Sequence, residues 1–311
     1  MSNQIGVLLP SAVPGTSGET ILTWARLIDE GPFSSLGAAD RYVYVNHELM
    51  MTMAAAAAVT SRVRLTTAAL LPPLRPTPLV GKQVATLVSF APGRVTLGVA
   101  VGNRVNDYES SGREWSRRGK ILDEQIEYLA AMRDLKGEEN CVGPECAAFE
   151  LLIGGASDPA IRRLLAHGDG LVSGGVKPEV FAFEAYAAMT AWEAAGKPGR
   201  PRLVASTWFS SSERAGDLAE ARLASYLAKG GPPEPVLSGI SRGREGVEAA
   251  VRAYRAQGAD EVTFFPLVDD VSELEWLAEV VRDLPDIERG EPAPDFSMFG
   301  GAEPSVKGRH A

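Results

Sequence analysis

Short apolar, β-branched runs alternate along the chain with longer stretches in which apolar residues recur every three or four positions, the pattern of parallel strand–helix units. The short runs predict strands at 4–9, 34–39, 63–69, 94–100, 150–153, 169–173, 201–208 and 260–265. The first four start 30, 29 and 31 residues apart, so the units repeat regularly. The wider gaps, from 94 to 150 and from 201 to 260, must hold insertions or extra helices. Leu79, Val80, Val84, Leu87 and Val88 form one helical stripe, and Leu122, Ile126 and Leu129 form another. Ser272 and Glu275 have the spacing of a capping box for the helix that carries Leu274, Leu277 and Val281. Eight successive units favour closure into an α/β (β/α)8 TIM barrel with insertions over an open doubly wound sheet.

The length of 311 residues suits one such domain, residues 1–285, followed by a tail over 286–311. The tail holds Pro292, Pro294, Pro304 and four glycines without an apolar period, which predicts a flexible end or an arm on the partner subunit of a homodimer. The formal net charge of −9 and the lack of a basic run argue against a nucleic-acid partner. The apolar run near the start, Ile5–Leu9, reads as a strand rather than a leader, and Met50–Val59 is too short to span a bilayer. The expectation is a soluble, cytoplasmic protein without membrane association. Cys141 and Cys146 are the two cysteines, spaced for half a metal site or a loop disulfide; with three histidines, His47, His167 and His310, no metal centre is expected.

Four segments carry candidate chemistry. The third strand ends in Thr66, Thr67, Ala68 and Ala69 before LLPPLRPTP, and small residues at the C-terminal end of a barrel strand leave a floor for a flat ring. GVAVG in the fourth strand lacks the third glycine of a dinucleotide fingerprint, but Gly102 permits close backbone approach beside Val101. In ELLIGGASDP a buried strand breaks at Gly154 and Gly155, and Ala156, Ser157 and Pro159 lead into a helix whose N-terminus suits an anion. Arg118 opens RGKILDE with Glu124 six residues on, and its guanidinium suits a phosphate monoester. Each has a plainer explanation: a crowded barrel corner for the alanines, an N-cap for Ser157, a solvated helix start for Arg117 and Arg118. Trp208 and Phe209 end the seventh strand, either as an aromatic wall of a substrate pocket or as core.

Taken in order, VTSRVRLTTAALLPPLRPTPLVGKQVATLVSFAPGRVTLGVAVG, RRGKILDE and GGASDP resemble the luciferase-like family of flavin- and deazaflavin-dependent oxidoreductases, over residues 5 to 285. The resemblance implies a non-prolyl cis peptide and bulge at Ala68 and Ala69 under the flavin ring. It implies cofactor contacts at Val101 and Gly102, and phosphate on Gly155, Ala156, Ser157 and Arg118. Where the family has Asp-His, GAADRYVY carries Asp40 and Arg41, which puts these two in the catalytic position. Arginine cannot act as a base at neutral pH and would serve as a fixed cation or donor, unless the two form only a surface ion pair. The implied activity is oxygenation of a small organic substrate with reduced FMN supplied by a separate flavin reductase. The alternatives are hydride transfer with the deazaflavin coenzyme F420, and a non-catalytic flavin-binding relative.

Overall fold

The structure is a computed structural model that describes residues 3–134, 143–144, 148–211, 223–224, 226–227, 237 and 239–299. Cys141, Cys146 and His310, with whatever they form, lie outside the described residues.

In chain order the elements are β1 (Gln4–Leu8), α1 (Gly18–Glu30), β2 (Ser35–Ala38), α2 (Leu49–Val59), β3 (Arg64–Leu70), α3 (Thr77–Phe90) and β4 (Val95–Val99). There follow α4 (Val105–Ser111), α5 (Arg118–Asp134), β5 (Glu150–Gly154), α6 (Asp158–His167), β6 (Gly170–Val172) and α7 (Pro178–Ala194). The last are β7 (Arg202–Ser210), the two-residue β8 (Ser241–Arg242), α8 (Gly243–Ala256), β9 (Glu261–Pro266) and α9 (Val271–Asp283). Strands β1 to β7 pair in sequence and in parallel, and β9 closes the ring by pairing with β7 on one side and β1 on the other. This is a closed eight-stranded (β/α)8 barrel, with β8 a short extra rung on β7. Each predicted strand is present with its ends shifted by no more than two residues.

Inward positions sort by depth. At the N-terminal end Glu150 accepts from Thr96 (2.8 Å) and Arg202 (2.7 Å), Arg64 donates to Thr96 (2.7 Å), and Glu261 accepts from Ser35 (2.6 Å) and from Arg202. Two guanidiniums thus balance two carboxylates in a plug whose lone pairs are largely used, the condition under which buried charge is tolerated. Above it Leu152, Val172 and Val204 pack with Ala69. Gly98 has to be glycine, because a Cβ there would stand 2.3 Å from the Thr67 carbonyl, where β3 bulges against β4.

Two local expectations need correction. The helix over Leu274 and Leu277 is capped by Asp270, whose carboxylate accepts from Ser272 N–H (2.9 Å), so Ser272 lies inside α9 and does not cap it. Leu79 is exposed, whereas Val80, Val84, Leu87 and Val88 of the expected stripe are buried. After α9 the chain turns back over its own barrel: Asn3 donates to the Pro285 carbonyl (2.7 Å), Arg255 to that of Ile287 (3.0 Å), and Phe296 meets Tyr186 edge-on at 5.4 Å. Among the described residues no helix is long and apolar enough to cross a membrane.

One acid on α7 is half-buried, with a carboxylate oxygen cut off from solvent. Glu184 of α7 faces Ser173 with Oε2 buried and unpartnered, and burial pushes its carboxyl above the usual range, only partly offset by the Ser173 hydroxyl. The folded chain therefore holds this proton more tightly than the unfolded chain, so stability is fullest below the unfolded glutamate pKa of about 4.3 and falls as pH rises through the raised folded value. Glu184→Gln is expected to raise the melting temperature by a margin that grows between pH 5 and pH 8. A constant margin across calorimetric scans over that range would contradict this.

Candidate active site at the barrel mouth

The Asp40 and Arg41 pair at the end of β2 does not exist as a pair, and neither residue is on the surface. Asp40, with 1% of its side chain exposed, accepts both terminal nitrogens of Arg75 (2.6 and 3.0 Å) and the Leu71 N–H (2.9 Å). Arg75 also reaches Glu48 (2.8 Å), and its carbonyl accepts from Gln125 (3.0 Å). Burial alone would lower the Arg75 pKa, but Asp40 and Glu48 outweigh it and hold the guanidinium charged. The bidentate pair pins the elbow from Leu71 to Pro76, which turns β3 into α3, against β2. The signal for Arg75 was present: one cation inside the apolar, Pro-rich LLPPLRPTP needs a buried anion.

Arg41 turns the other way. Its Nη1 donates to the Tyr226 carbonyl (3.1 Å), its guanidinium lies 4.7 Å from the Tyr226 ring, and its Nε stands 3.5 Å from Asp107, which also accepts the Val43 N–H (2.7 Å). Arg104 donates to the same carbonyl and flanks the same ring at 5.2 Å. Two arginines thus clamp one tyrosine by charge–quadrupole attraction and a shared acceptor. Burial pushes the Tyr226 phenol up, opposed by both arginines. Arg104 and Tyr226 lie in loop and insertion sequence without a motif, and sequence reasoning missed both.

The expected cis peptide is present between Ala68 and Ala69, at the β3 bulge. Beside it Gly154 cannot carry a side chain, as a Cβ would meet that of Ala100 at 2.9 Å, so the floor between β3 and β5 stays low. Val101 and Gly102 are fixed from two sides: the Tyr108 hydroxyl donates to the Val101 carbonyl, and a Cβ on Gly102 would meet Leu71 at 3.1 Å. Tyr108 stands edge-on to Trp115 (5.2 Å), over which the Arg118 guanidinium lies at 3.8 Å while donating to the Trp115 carbonyl (2.9 Å). Helices α5 and α6 are tied by Arg163, which bonds Asp123 (2.6 Å) and the Gly119 carbonyl (3.1 Å).

Between β5 and α6, Gly155 has φ +80°, a value that favours glycine, with open space beside it. Ser157 takes the N-cap position of α6, yet its side chain makes no capping bond and is exposed. The hydroxyl and the helix start are left facing solvent, as an anion site requires. Across the mouth Trp208 of β7 stacks on Phe265 of β9, with centroids 4.6 Å apart and planes at 29°, and both line a small, partly open pocket with Tyr44, Tyr226, Ser11 and Leu267.

With this geometry in view, the comparisons with known proteins are specific. Residues 3–271 match the model of the luciferase-like monooxygenase family, and the chain belongs to that family. An uncharacterised protein of Mycobacterium tuberculosis is 34% identical over 143 residues, 42% of this chain and 49% of that protein. An F420-dependent glucose-6-phosphate dehydrogenase of Kribbella flavida is 31% identical over 126 residues, 38% of each. The chain thus spans half the length or less of these curated relatives. An F420-dependent secondary alcohol dehydrogenase, solved with an F420–acetone adduct, superposes with a TM-score of 0.75 at 17% identity, covering 92% of this chain and all of the other. The monooxygenase RslO1 of Streptomyces bottropensis superposes with a TM-score of 0.74 at 20% identity, covering 90% and 96%. These structures share the fold. Similar proteins thus include F420-dependent enzymes and, among solved structures, a Baeyer–Villiger monooxygenase of Pseudomonas putida in complex with FMN.

Arg75→Met would leave Asp40 buried without its partner and should destabilise the fold by about 3 to 5 kcal/mol, whereas adding Asp40→Asn should recover part of that loss. Urea unfolding of the three variants measures it. A cost below about 1 kcal/mol for Arg75→Met, the range of an exposed ion pair, would show that the pair does not organise the mouth.

Proposed function

We propose that the protein is a monooxygenase of a small organic substrate that works with reduced FMN supplied by a separate reductase. The observation that carries the reading is the uncapped Gly155–Ser157 turn at the start of α6, its Ser157 exposed, at the end of a barrel where Ala68, Ala69 and Ala100 are small and partly exposed. Ala69, Ala100 and Gly154 are small and only partly buried at this end of the barrel, as a floor for a flat ring requires, and Ser157 offers an exposed hydroxyl at a helix N-terminus for a phosphate. The residues present therefore fit such a cofactor, which when bound supplies the two-electron redox chemistry of its ring.

The chain contributes position and solvent control. Ala68 and Ala69 would lie under the ring, and the turn at Gly155, Ala156 and Ser157 would hold the phosphate with Arg118, which Trp115 orients. Tyr226, clamped by Arg41 and Arg104, walls the mouth and keeps water from the reacting face. Oxygen chemistry is favoured over hydride abstraction because the two residues at the end of β2 are spent: Asp40 on Arg75, Arg41 on Asp107 and Tyr226. Neither is placed to take a proton from a substrate. The second reading, F420-dependent hydride transfer, is supported by the F420-dependent enzymes among the relatives and by the open space beside Gly155, through which a longer cofactor tail could leave.

Removing Ser157 and Arg118 contacts together, as Ser157→Ala with Arg118→Ala, should weaken FMN binding more than about tenfold, since charge-assisted bonds contribute about 1.5 to 3 kcal/mol each. Fluorescence titration reads the affinity, and the cofactor-free variant should melt with the parent. Unaltered affinity would remove the phosphate assignment. Substrate turnover that consumes F420 without oxygen uptake at an electrode would replace the first reading by the second.

A further inference from the structure

The pocket beside Trp208 has a chemistry of its own. Its walls are apolar and flat: Trp208 and Phe265 stack, Tyr226 meets Trp208 at 6.2 Å and 66°, and Tyr44 meets Tyr226 edge-on at 5.0 Å. Into this box the turn after β1 delivers Ser11, which is 1% exposed. Of the side chains lining the pocket, Ser11 is the one whose polar atom is buried without a partner. Its backbone is already fixed, because its carbonyl accepts the His47 N–H (3.0 Å), and the turn around it is closed by Val13 N–H on the Pro10 carbonyl (3.0 Å). The hydroxyl is therefore held in place by bonds that do not use it.

A buried hydroxyl without a partner is unfavourable, and an apolar pocket with one placed polar group is how small-molecule sites fix orientation. We propose that this pocket is the substrate subsite and that it takes a neutral, single-ring aromatic or alicyclic molecule whose one hydroxyl or carbonyl oxygen bonds the Ser11 hydroxyl. The ring lies against the Trp208–Phe265 stack, with Tyr226 as its edge. Charge is not required of the ligand: Arg41 and Arg104 face the pocket through the Tyr226 ring and spend their Nη1 and Nη2 on its carbonyl. A site built to bond a substrate oxygen rejects the same ring without it, so Ser11 determines specificity as well as orientation. The proposal rests on the oxidoreductase reading for its role, but the binding it describes does not depend on which cofactor is used.

Isothermal titration calorimetry with p-cresol, toluene and p-toluate tests it, on the full chain with and without FMN. The parent should bind p-cresol about tenfold tighter than toluene, the ratio equivalent to about 1.4 kcal/mol. It should bind p-toluate no tighter than p-cresol. Ser11→Ala should bring p-cresol down to the level of toluene and leave toluene unchanged, Ser11→Thr should keep part of the preference, and Trp208→Ala should weaken both. Because the hydroxyl bonds nothing in the free protein, Ser11→Ala should not lower the melting temperature. Equal affinities in the parent, a preference that survives Ser11→Ala, tighter p-toluate, or no binding of either neutral probe in both states would each overturn the assignment. FMN titration of the same samples reads the cofactor proposal separately, so either can fail alone.

Discussion

The mouth of this barrel depends on one buried ion pair, Asp40 with Arg75. A carboxylate at the end of β2 is stable in the interior only with a full set of donors, and here it receives two from one guanidinium and one from the Leu71 amide. Those bonds fix the elbow after β3, and Leu71 in turn packs where a side chain on Gly102 would stand. The exits of β2, β3 and β4 are thereby set relative to one another by one interaction that does not itself face the floor. The polar plug at the opposite end of the barrel uses the same rule, with Glu150 and Glu261 bridged by Arg202.

Above that frame the residues divide by chemistry. In the proposed site small residues make the floor, a glycine turn and a helix start would hold the anion, and aromatic rings make the far wall. The arginine that stands where the family's histidine is expected joins the wall. Arg41 and Arg104 together hold Tyr226 by its carbonyl and its ring, so a position that could carry proton chemistry here carries geometry. On the proposed reading the chain's own residues position and shield, and the redox chemistry would fall to the cofactor.

The strands were legible because their period and spacing are local properties of the chain, and so were the Ala68–Ala69 bond and the turn from Gly154 to Ser157, which sit inside contiguous motifs. What stayed hidden was long-range. Asp40 and Arg75 are 35 positions apart, and Arg41 meets Tyr226 across 185, so nothing in the sequence couples them. The adjacent Asp40 and Arg41 suggested each other instead, but in the loop after β2 they turn to separate partners, Arg75 and Asp107 with Tyr226. Ser11 and Arg104 lie in loops, where no periodicity marks the buried side. In α9 the spacing of Ser272 and Glu275 was sound, but Asp270 two residues earlier competes better for the cap.

Binding of a reduced flavin at the mouth is the decisive property of this barrel. Anaerobic titration of the purified chain, followed by cofactor fluorescence, with reduced FMN and separately with F420, decides it. The expected result is saturable binding of one reduced FMN per chain, tighter than that of F420. Binding of F420 without FMN would contradict the FMN assignment, and binding of neither would contradict the assignment of this floor and turn as a cofactor site.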